Sequence, residues 1–223
     1  MDPIQAKLEE LRELLARSPN TAPAAVTVIG SGILSSSSGS TKPYELQLGW
    51  DPITAHLCDQ TWGNFNVKLM EHVEAQQYSE QELKAVLGAI QIDDSHWRWL
   101  SKSLHYVSDD QYKWFFLIAE GNPQAACLVY HPKPSALHDG QIFYIEFIAV
   151  APWNRENPLA PRTFVGLGRL LVEEVRNFAR NTLGLYEGFS LHALPRASGF
   201  YLSLGMKRMP EHDKEVLQYF EMT

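Results

Sequence analysis

The chain has 223 residues, 45% hydrophobic and 20% charged, with a formal net charge of −7, a composition ordinary for one globular domain with at most a small appendage. The charge is uneven: residues 1–151 carry ten Lys/Arg against eighteen Asp/Glu, whereas residues 152–180 carry Arg155, Arg162, Arg169, Arg176 and Arg180 against three Glu. One short basic segment argues against broad nucleic-acid binding, which needs an extended basic face. No run approaches the eighteen apolar residues of a membrane-spanning helix. The two distant cysteines, Cys58 and Cys127, have no metal-type spacing and imply no disulfide framework. The start, Met1-Asp2-Pro3-Ile4-Gln5, lacks the basic and apolar regions of a signal peptide. Cytoplasmic is therefore the expected location.

Residues 2–17 place Leu8, Leu11 and Leu15 at helical spacing with Pro3 near the first turn, which predicts a short amphipathic helix. Ser31 to Lys42, with Ser35-Ser36-Ser37-Ser38-Gly39-Ser40, reads as a flexible linker or exposed loop. Val26 to Ser35 imitates the start of a dinucleotide fold, Gly30-Ser31-Gly32. It lacks the third glycine and a following helix, so a short strand entering a loop is the better reading. The domain division expected is 1–43 for the helix and linker, and 44–223 for one compact domain. Within the latter, Tyr44 to Leu48 can form a strand, and helical patterns run through Phe65–Gln77 and from Ser79, where Ser79-Glu80-Gln81-Glu82 is a capping box. Asp93 or Asp94 is expected to cap a helix containing Trp97, Trp99, Leu100 and Leu104. Lys113–Ala119 and Ala125–Tyr130 read as strands about a hairpin turn, and Met206–Met209 and Val216–Met222 as a second hairpin.

Between these hairpins lie an apolar strand from Ile142 to Val150, a Pro-rich loop, Gly166-Leu167-Gly168, an amphipathic run from Arg169 to Thr182, and a strand from Glu187 to Ala193. The chain is thus expected to fold as a mixed α/β sheet. A strand feeding a glycine turn at a helix N-terminus presents backbone N–H groups and a positive dipole end, which suit phosphate. The helix places Leu167, Leu170, Leu171, Val175, Phe178 and Ala179 on one stripe, which anchors it and aims its dipole at the turn. Glu146 is the one charge in the apolar strand, and strict alternation puts it on a face with Tyr144, Ile148 and Val150. The eight histidines show no metal spacing, and no metal is expected.

The whole order, Val150-x-Pro152-x-x-Arg155, then Gly166-x-Gly168 on a helix, then a strand, then Ala197-x-x-x-Tyr201-x-x-x-Gly205-Met206, resembles the GCN5-related N-acetyltransferase (GNAT) superfamily. The resemblance is close from about Gln141 to Arg208, extends by strand order to Tyr44, and is absent before that. It implies a mostly antiparallel twisted sheet in which two central parallel strands, 142–150 and 187–193, splay apart around acetyl-CoA or another acyl-CoA. It implies transfer of the acyl group to a primary amine by direct attack in a ternary complex. Tyr201 matches the position that protonates the departing thiolate, a task a phenol of pKa ~10 can perform. Glu146, on a strand where several members carry a carboxylate, is either the base that takes the amine's proton or a buried structural glutamate.

The same resemblance assigns the cofactor to Ile148, Ala149 and Val150 of the first strand and to Val165, Gly166, Leu167, Gly168 and Arg169 of the turn. The chain departs from the pattern at Thr163, where the family usually has Arg or Gln, and at Leu194, where it often has Asn. Glu156 to Thr163 reads as an insertion in the pyrophosphate loop, leaving either Arg155 or Arg162 to supply a guanidinium. His192 is left either to take the polar role of the missing Asn or to stand as a strand-end histidine satisfied by backbone. The partner implied is a small-molecule or protein amine, with a homodimer allowed and with neither nucleic acid nor membrane. The acidic composition favours a cationic acceptor such as a polyamine, an aminoglycoside or a lysine side chain. The departures also leave room for a rival from another class, a non-catalytic module of this fold that binds acyl-CoA or a protein. The intact glycine pair and Tyr201 speak against it.

Overall fold

The structure is a computed structural model that describes residues 26–222. Its strands are β1 (Thr27–Ser35), β2 (Thr41–Leu48), β3 (Tyr112–Ala119), β4 (Asn122–Pro134), β5 (Gln141–Val150), β6 (Phe189–Ala193), β7 (Lys207–Arg208) and β8 (Gln218–Met222). Its helices are α1 (Pro52–Leu57), which runs through a π-helical turn at Cys58–Trp62 into α2 (Gly63–Ala75), then α3 (Glu80–Ala89), α4 (Trp99–Tyr106), α5 (Leu167–Asn181) and α6 (Ser198–Ser203). All eight strands form one sheet in the order β1-β2-β3-β4-β5-β6-β8-β7. Among the described residues only β5 and β6 run parallel, and the remaining pairs are antiparallel. The fold is a mixed α/β sheet, mostly antiparallel and flanked by helices.

Both faces of the sheet are covered, which is why β3 and β4 read as nearly continuous apolar runs. Side chains alternate on β3: Phe115 and Leu117 join a core with Cys127, Phe143, Ile145, Leu191 and Phe220 under α5 and α6. Trp114 and Phe116 join Trp50, Trp62, Trp99 and Leu100 under α1 and α4. These two sides are called the α5 face and the α4 face below. Among the described residues the α5 stripe is the longest amphipathic one: Leu167, Leu171, Val172, Val175 and Ala179 are buried, each larger side chain contributing about 1.5–3 kcal/mol by leaving water.

Several expectations need correction. The serine-rich stretch from Ser31 to Lys42 is not a linker, because most of it lies in β1 and the start of β2, joined by a tight turn at Ser36–Ser40. β1 pairs with β2 along its length, so the sheet begins before residue 44. Gly32 makes this pairing close, since a Cβ there would stand 2.7 Å from the Tyr44 ring. The Tyr44 hydroxyl reaches across to donate to Glu174 of α5 at 3.0 Å, and burial together with that carboxylate pushes its pKa up to about 12. The helix expected over residues 2–17 lies outside the described residues.

The capping box at Ser79 and Glu82 forms as expected. Neither Asp93 nor Asp94 caps α4, and Trp97 lies ahead of that helix. Asp59, forty residues upstream on the π-helical turn, accepts from the backbone N–H groups of Trp99 (2.5 Å) and Leu100 (3.1 Å) instead. Asp93 and Asp94 pair with Arg196 and Arg155. The closing hairpin is also looser than expected, with β8 lying between β6 and the two-residue β7.

Candidate active site

The centre of the sheet opens between its two parallel strands. β5 and β6 pair only over Phe143/Phe189, Tyr144/Ser190 and Ile145/Leu191. Beyond Ile145 no β6 residue pairs with β5, although β5 continues to Val150. The divergence begins at a β-bulge: on β4, Val129 faces Ile145 and Leu128 faces Phe147, which leaves Glu146 as the extra residue. The bulge also resets the alternation. Phe143, Ile145, Ile148 and Val150 pack on the α5 face, whereas Phe147 and Ala149 pack on the α4 face. Strict alternation therefore fails for Glu146. It shares a side with Tyr144, but Ile148 and Val150 point to the opposite side of the sheet.

On the α5 face the strand meets the glycine turn. Gly166 adopts φ 76°, a left-handed conformation that favours glycine, and no side chain caps the helix it opens. A Cβ on Gly168 would stand 3.4 Å from Phe200 Cζ and 3.8 Å from Val150 Cγ2, so the turn lies close against β5 and α6. Uncapped N–H groups at the head of a fifteen-residue helix, with open space at Gly166, fit a pyrophosphate. Tyr201 is buried on this face, with its ring near Phe200 and Phe220. Burial first, then neighbouring Cys127, push its pKa well up, so the phenol keeps its proton.

The inserted segment is closed off at its base. Trp153 and Asn154 hold its far end: the Thr163 N–H donates to the Trp153 carbonyl (3.0 Å) and the Phe164 N–H to Asn154 Oδ1 (2.9 Å). Gln124 Oε1 accepts from Trp153 Nε1 and Asn154 Nδ2, both at 2.9 Å. The serine turn braces the same strip, with Ser37 N–H donating to the Thr163 carbonyl and Val165 N–H to the Ser35 carbonyl, each at 3.3 Å. Residues 156–163 thus form an excursion that returns to its origin beside the glycine turn. Asn154 and Gln124 were not singled out by the sequence, and Ser35–Ser37 reads there as a linker, because their side-chain amides and backbone groups find these partners only once the sheet has formed.

The two arginines of the excursion differ sharply. Arg155 forms a bidentate pair with Asp94 at 2.6 and 2.5 Å and donates to the carbonyls of Val150 (2.8 Å) and Gln91 (2.9 Å). Its guanidinium is thereby turned toward the α3–α4 connection. Arg162 is half exposed, with only a loose 3.8 Å approach to Glu156. Arg169, in the first turn of α5, reaches the Ser203 carbonyl at 3.5 Å.

The α4 face of the opening is polar and aromatic. Burial raises the pKa of Glu146, while Lys214 and Lys102 oppose the rise. Lys102 Nζ lies 3.6 Å from the centroid of the Phe147 ring and 5.2 Å from that of Trp97. Tyr106, Tyr112 and Tyr144 all sense the Glu146 charge. His192 is on this same side, away from the glycine turn. Its Nδ1 lies 2.7 Å from the Tyr144 hydroxyl and its Nε2 lies 2.9 Å from the His212 carbonyl. The site residues read from the sequence are therefore divided between two faces. Tyr201, Ile148, Val150 and the 165–169 turn belong to the α5 face; Glu146, Ala149 and His192 belong to the α4 face.

No protein-family model matches the chain, and no curated protein sequence matches it. Solved structures do. The chain is similar to the PaiA N-acetyltransferase of Thermoplasma acidophilum in complex with coenzyme A, at 10% identity over 80% of this chain and 98% of that one, with a TM-score of 0.47. It is similar to an acetyltransferase of Thermus thermophilus, at 14% identity over 87% and 97% of the two chains, with a TM-score of 0.46. A third is the N-acetyltransferase PseH of Campylobacter jejuni in complex with acetyl coenzyme A, at 16% identity over 66% and 93%, with a TM-score of 0.38. Many of the solved structures to which this chain is similar are GNAT-family N-acetyltransferases.

Proposed function

We propose that the chain is an acyl-CoA-dependent N-acyltransferase that acetylates a primary amine by direct attack in a ternary complex. The observation that carries this reading is the parting of β5 from β6 beyond Ile145, with a buried phenol on one side of the sheet and a bulged carboxylate on the other. Acetyl-CoA would supply an activated acyl group as its thioester. The N–H groups at the head of α5, with Arg169 in its first turn and Arg162 four residues ahead of Gly166, would hold its pyrophosphate. Ile148 and Val150 would line the pantetheine arm. Tyr201, kept protonated by burial, holds a proton for a departing thiolate.

An attacking amine must lose a proton, since alkyl ammonium groups have pKa ~10. Glu146 would take it, directly or through water. A carboxylate whose pKa is raised by burial is a stronger base than a free one. Acid and base on opposite faces of the opening let the two reactants approach from opposite sides.

Calorimetric titration with acetyl-CoA tests the reading, with Gly168→Trp as the blocked-site control and circular dichroism to verify its fold. The expected result is micromolar binding that the variant loses, together with release of free thiol when amines are added. Absence of binding to acetyl-CoA and longer acyl-CoAs would overturn it. Binding without turnover of any amine would favour the non-catalytic module.

A further inference from the structure

Resting on the acyltransfer reading above, we infer that the acceptor carries an anionic group, a carboxylate or a phosphate, beside its amine, and that Lys102 and Lys214 hold that group next to Glu146. The acidic composition of the whole chain suggests a cationic acceptor; the local charge on the α4 face reverses that expectation. Two lysines from different elements act on Glu146, Lys102 from α4 and Lys214 from the β7–β8 connection, while Lys133 of β4 adds its charge beside Lys214 and faces Glu221. Among the described residues none of them lies within 4 Å of a carboxylate oxygen. Lys133 donates to the Tyr219 hydroxyl at 2.8 Å and is offset by Glu221, whereas Lys102 rests over aromatic rings with Glu146 as the charge that favours it.

The nearby acids are already committed. Glu221 is fully buried and accepts from the Ser135 hydroxyl (2.5 Å), the Tyr219 hydroxyl (2.5 Å) and the N–H groups of Ala136 (2.9 Å) and Leu137 (3.1 Å). Asp213 pairs with Arg208 and accepts the Tyr219 N–H at 2.8 Å. His192 adds no charge of its own, because its Nδ1 accepts from Tyr144 while its Nε2 donates to the His212 carbonyl. Glu146 is thus left facing the ammonium groups of Lys102 and Lys214.

Such a field disfavours an acceptor with several ammonium groups, since every additional one meets a like charge at low local dielectric. It favours an acceptor whose anionic end sits against Lys102 and Lys214. It also helps to deprotonate the attacking amine, because a positive surrounding disfavours its ammonium form. The geometry suits a short molecule: Lys102 stands over Phe147, the residue next to the bulged glutamate, so amine and anion would be only a few bonds apart.

The test is thiol release from acetyl-CoA with matched acceptors: α-amino acids against their carboxamides, O-phosphoethanolamine against ethanolamine, and spermidine as a polycation. The expected result is at least a tenfold higher kcat/KM for the anionic member of one pair, and the pair showing it identifies carboxylate or phosphate. Lys102→Gln and Lys214→Gln should each shrink that ratio several-fold, and Lys102→Arg should restore most of it. Preference for spermidine or for the neutral members, or a ratio untouched by both glutamine variants, would overturn the inference while leaving acyltransfer intact. Acetyl-CoA binding without turnover of any acceptor would remove the acyltransfer reading and this inference with it.

Discussion

The Tyr144 hydroxyl donates to His192 Nδ1 across 2.7 Å, and this side-chain bond spans β5 and β6 at the level where their backbone pairing ends. His192 in turn donates from Nε2 to the His212 carbonyl, so the ring is neutral and fixed in one tautomer. Both bonds together tie the mouth of the opening to the β7–β8 connection.

Burial lowers the pKa of His192, and Lys214 and Lys133 add to that direction. A histidine whose folded pKa lies below its unfolded value binds its proton more readily when unfolded. Its contribution to stability is therefore present above about pH 6.5 and is lost as the pH falls through the folded value. Melting temperatures measured at pH 7.5 and 5.5 should drop more for the wild type than for His192→Gln. Equal drops would mean that the ring is not held neutral.

Tyr201→Phe removes one hydroxyl from a buried ring and leaves the packing against Phe220 intact. Acetyl-CoA affinity and melting temperature should change little, while kcat falls about a hundredfold, the usual scale for loss of a positioned acid. Because burial keeps this pKa well up, the wild-type rate should not decline with rising pH through loss of the phenol proton below about pH 10. Parallel losses of affinity and kcat would instead mark Tyr201 as a packing residue.

Much of the fold was legible because it rests on local rules. The α5 stripe repeats at helical spacing, Ser79 and Glu82 form the capping box, and the Glu120-Gly121 turn takes positive φ at both residues. What escaped was set by distant partners. Nothing near α4 announces that its cap is Asp59, and the run Ser35 to Ser40 carries the composition of a linker while serving as a hairpin turn that braces Val165. The site divides the same way. Gly166, Gly168 and Tyr201 could be placed by spacing, whereas the face of Glu146 depends on a bulge defined by β4, which period-two counting along β5 cannot reveal.

The choice between Arg155 and Arg162 illustrates the point, since the sequence leaves both open, even with Arg155 at the expected distance from Val150, and only their surroundings separate them. Arg155 and Asp94 are only 14% and 13% exposed, and removing one partner strands the other in a largely dry place. Asp94→Ala should cost about 2–3 kcal/mol, or roughly 5–10 °C in melting temperature for a chain of this size. Arg162→Ala should leave the melting temperature unchanged and weaken acetyl-CoA about tenfold, as expected for one lost charge-assisted contact. Thermal scans combined with calorimetry separate the two effects. A large affinity loss confined to Arg155 variants of normal stability would reverse the assignment.

Glu146 is expected to govern the acidic limb of the rate profile. Burial raises its pKa, and Lys214 and then Lys102 hold it down. Rates of a reaction that needs the carboxylate ionised should rise with pH through that raised value. Lys214→Gln removes a positive charge that favours the carboxylate, so the limb should move to higher pH. High salt should move the wild-type limb the same way, since Lys214 is exposed and its influence is screened. Glu146→Gln should abolish the limb and lower kcat by about 10²- to 10³-fold. The profile of kcat/KM between pH 5 and 9 for the three proteins checks all of this. A limb that stays in Glu146→Gln would assign the titration to another group, and one that moves to lower pH in Lys214→Gln would show that Lys214 does not face the glutamate.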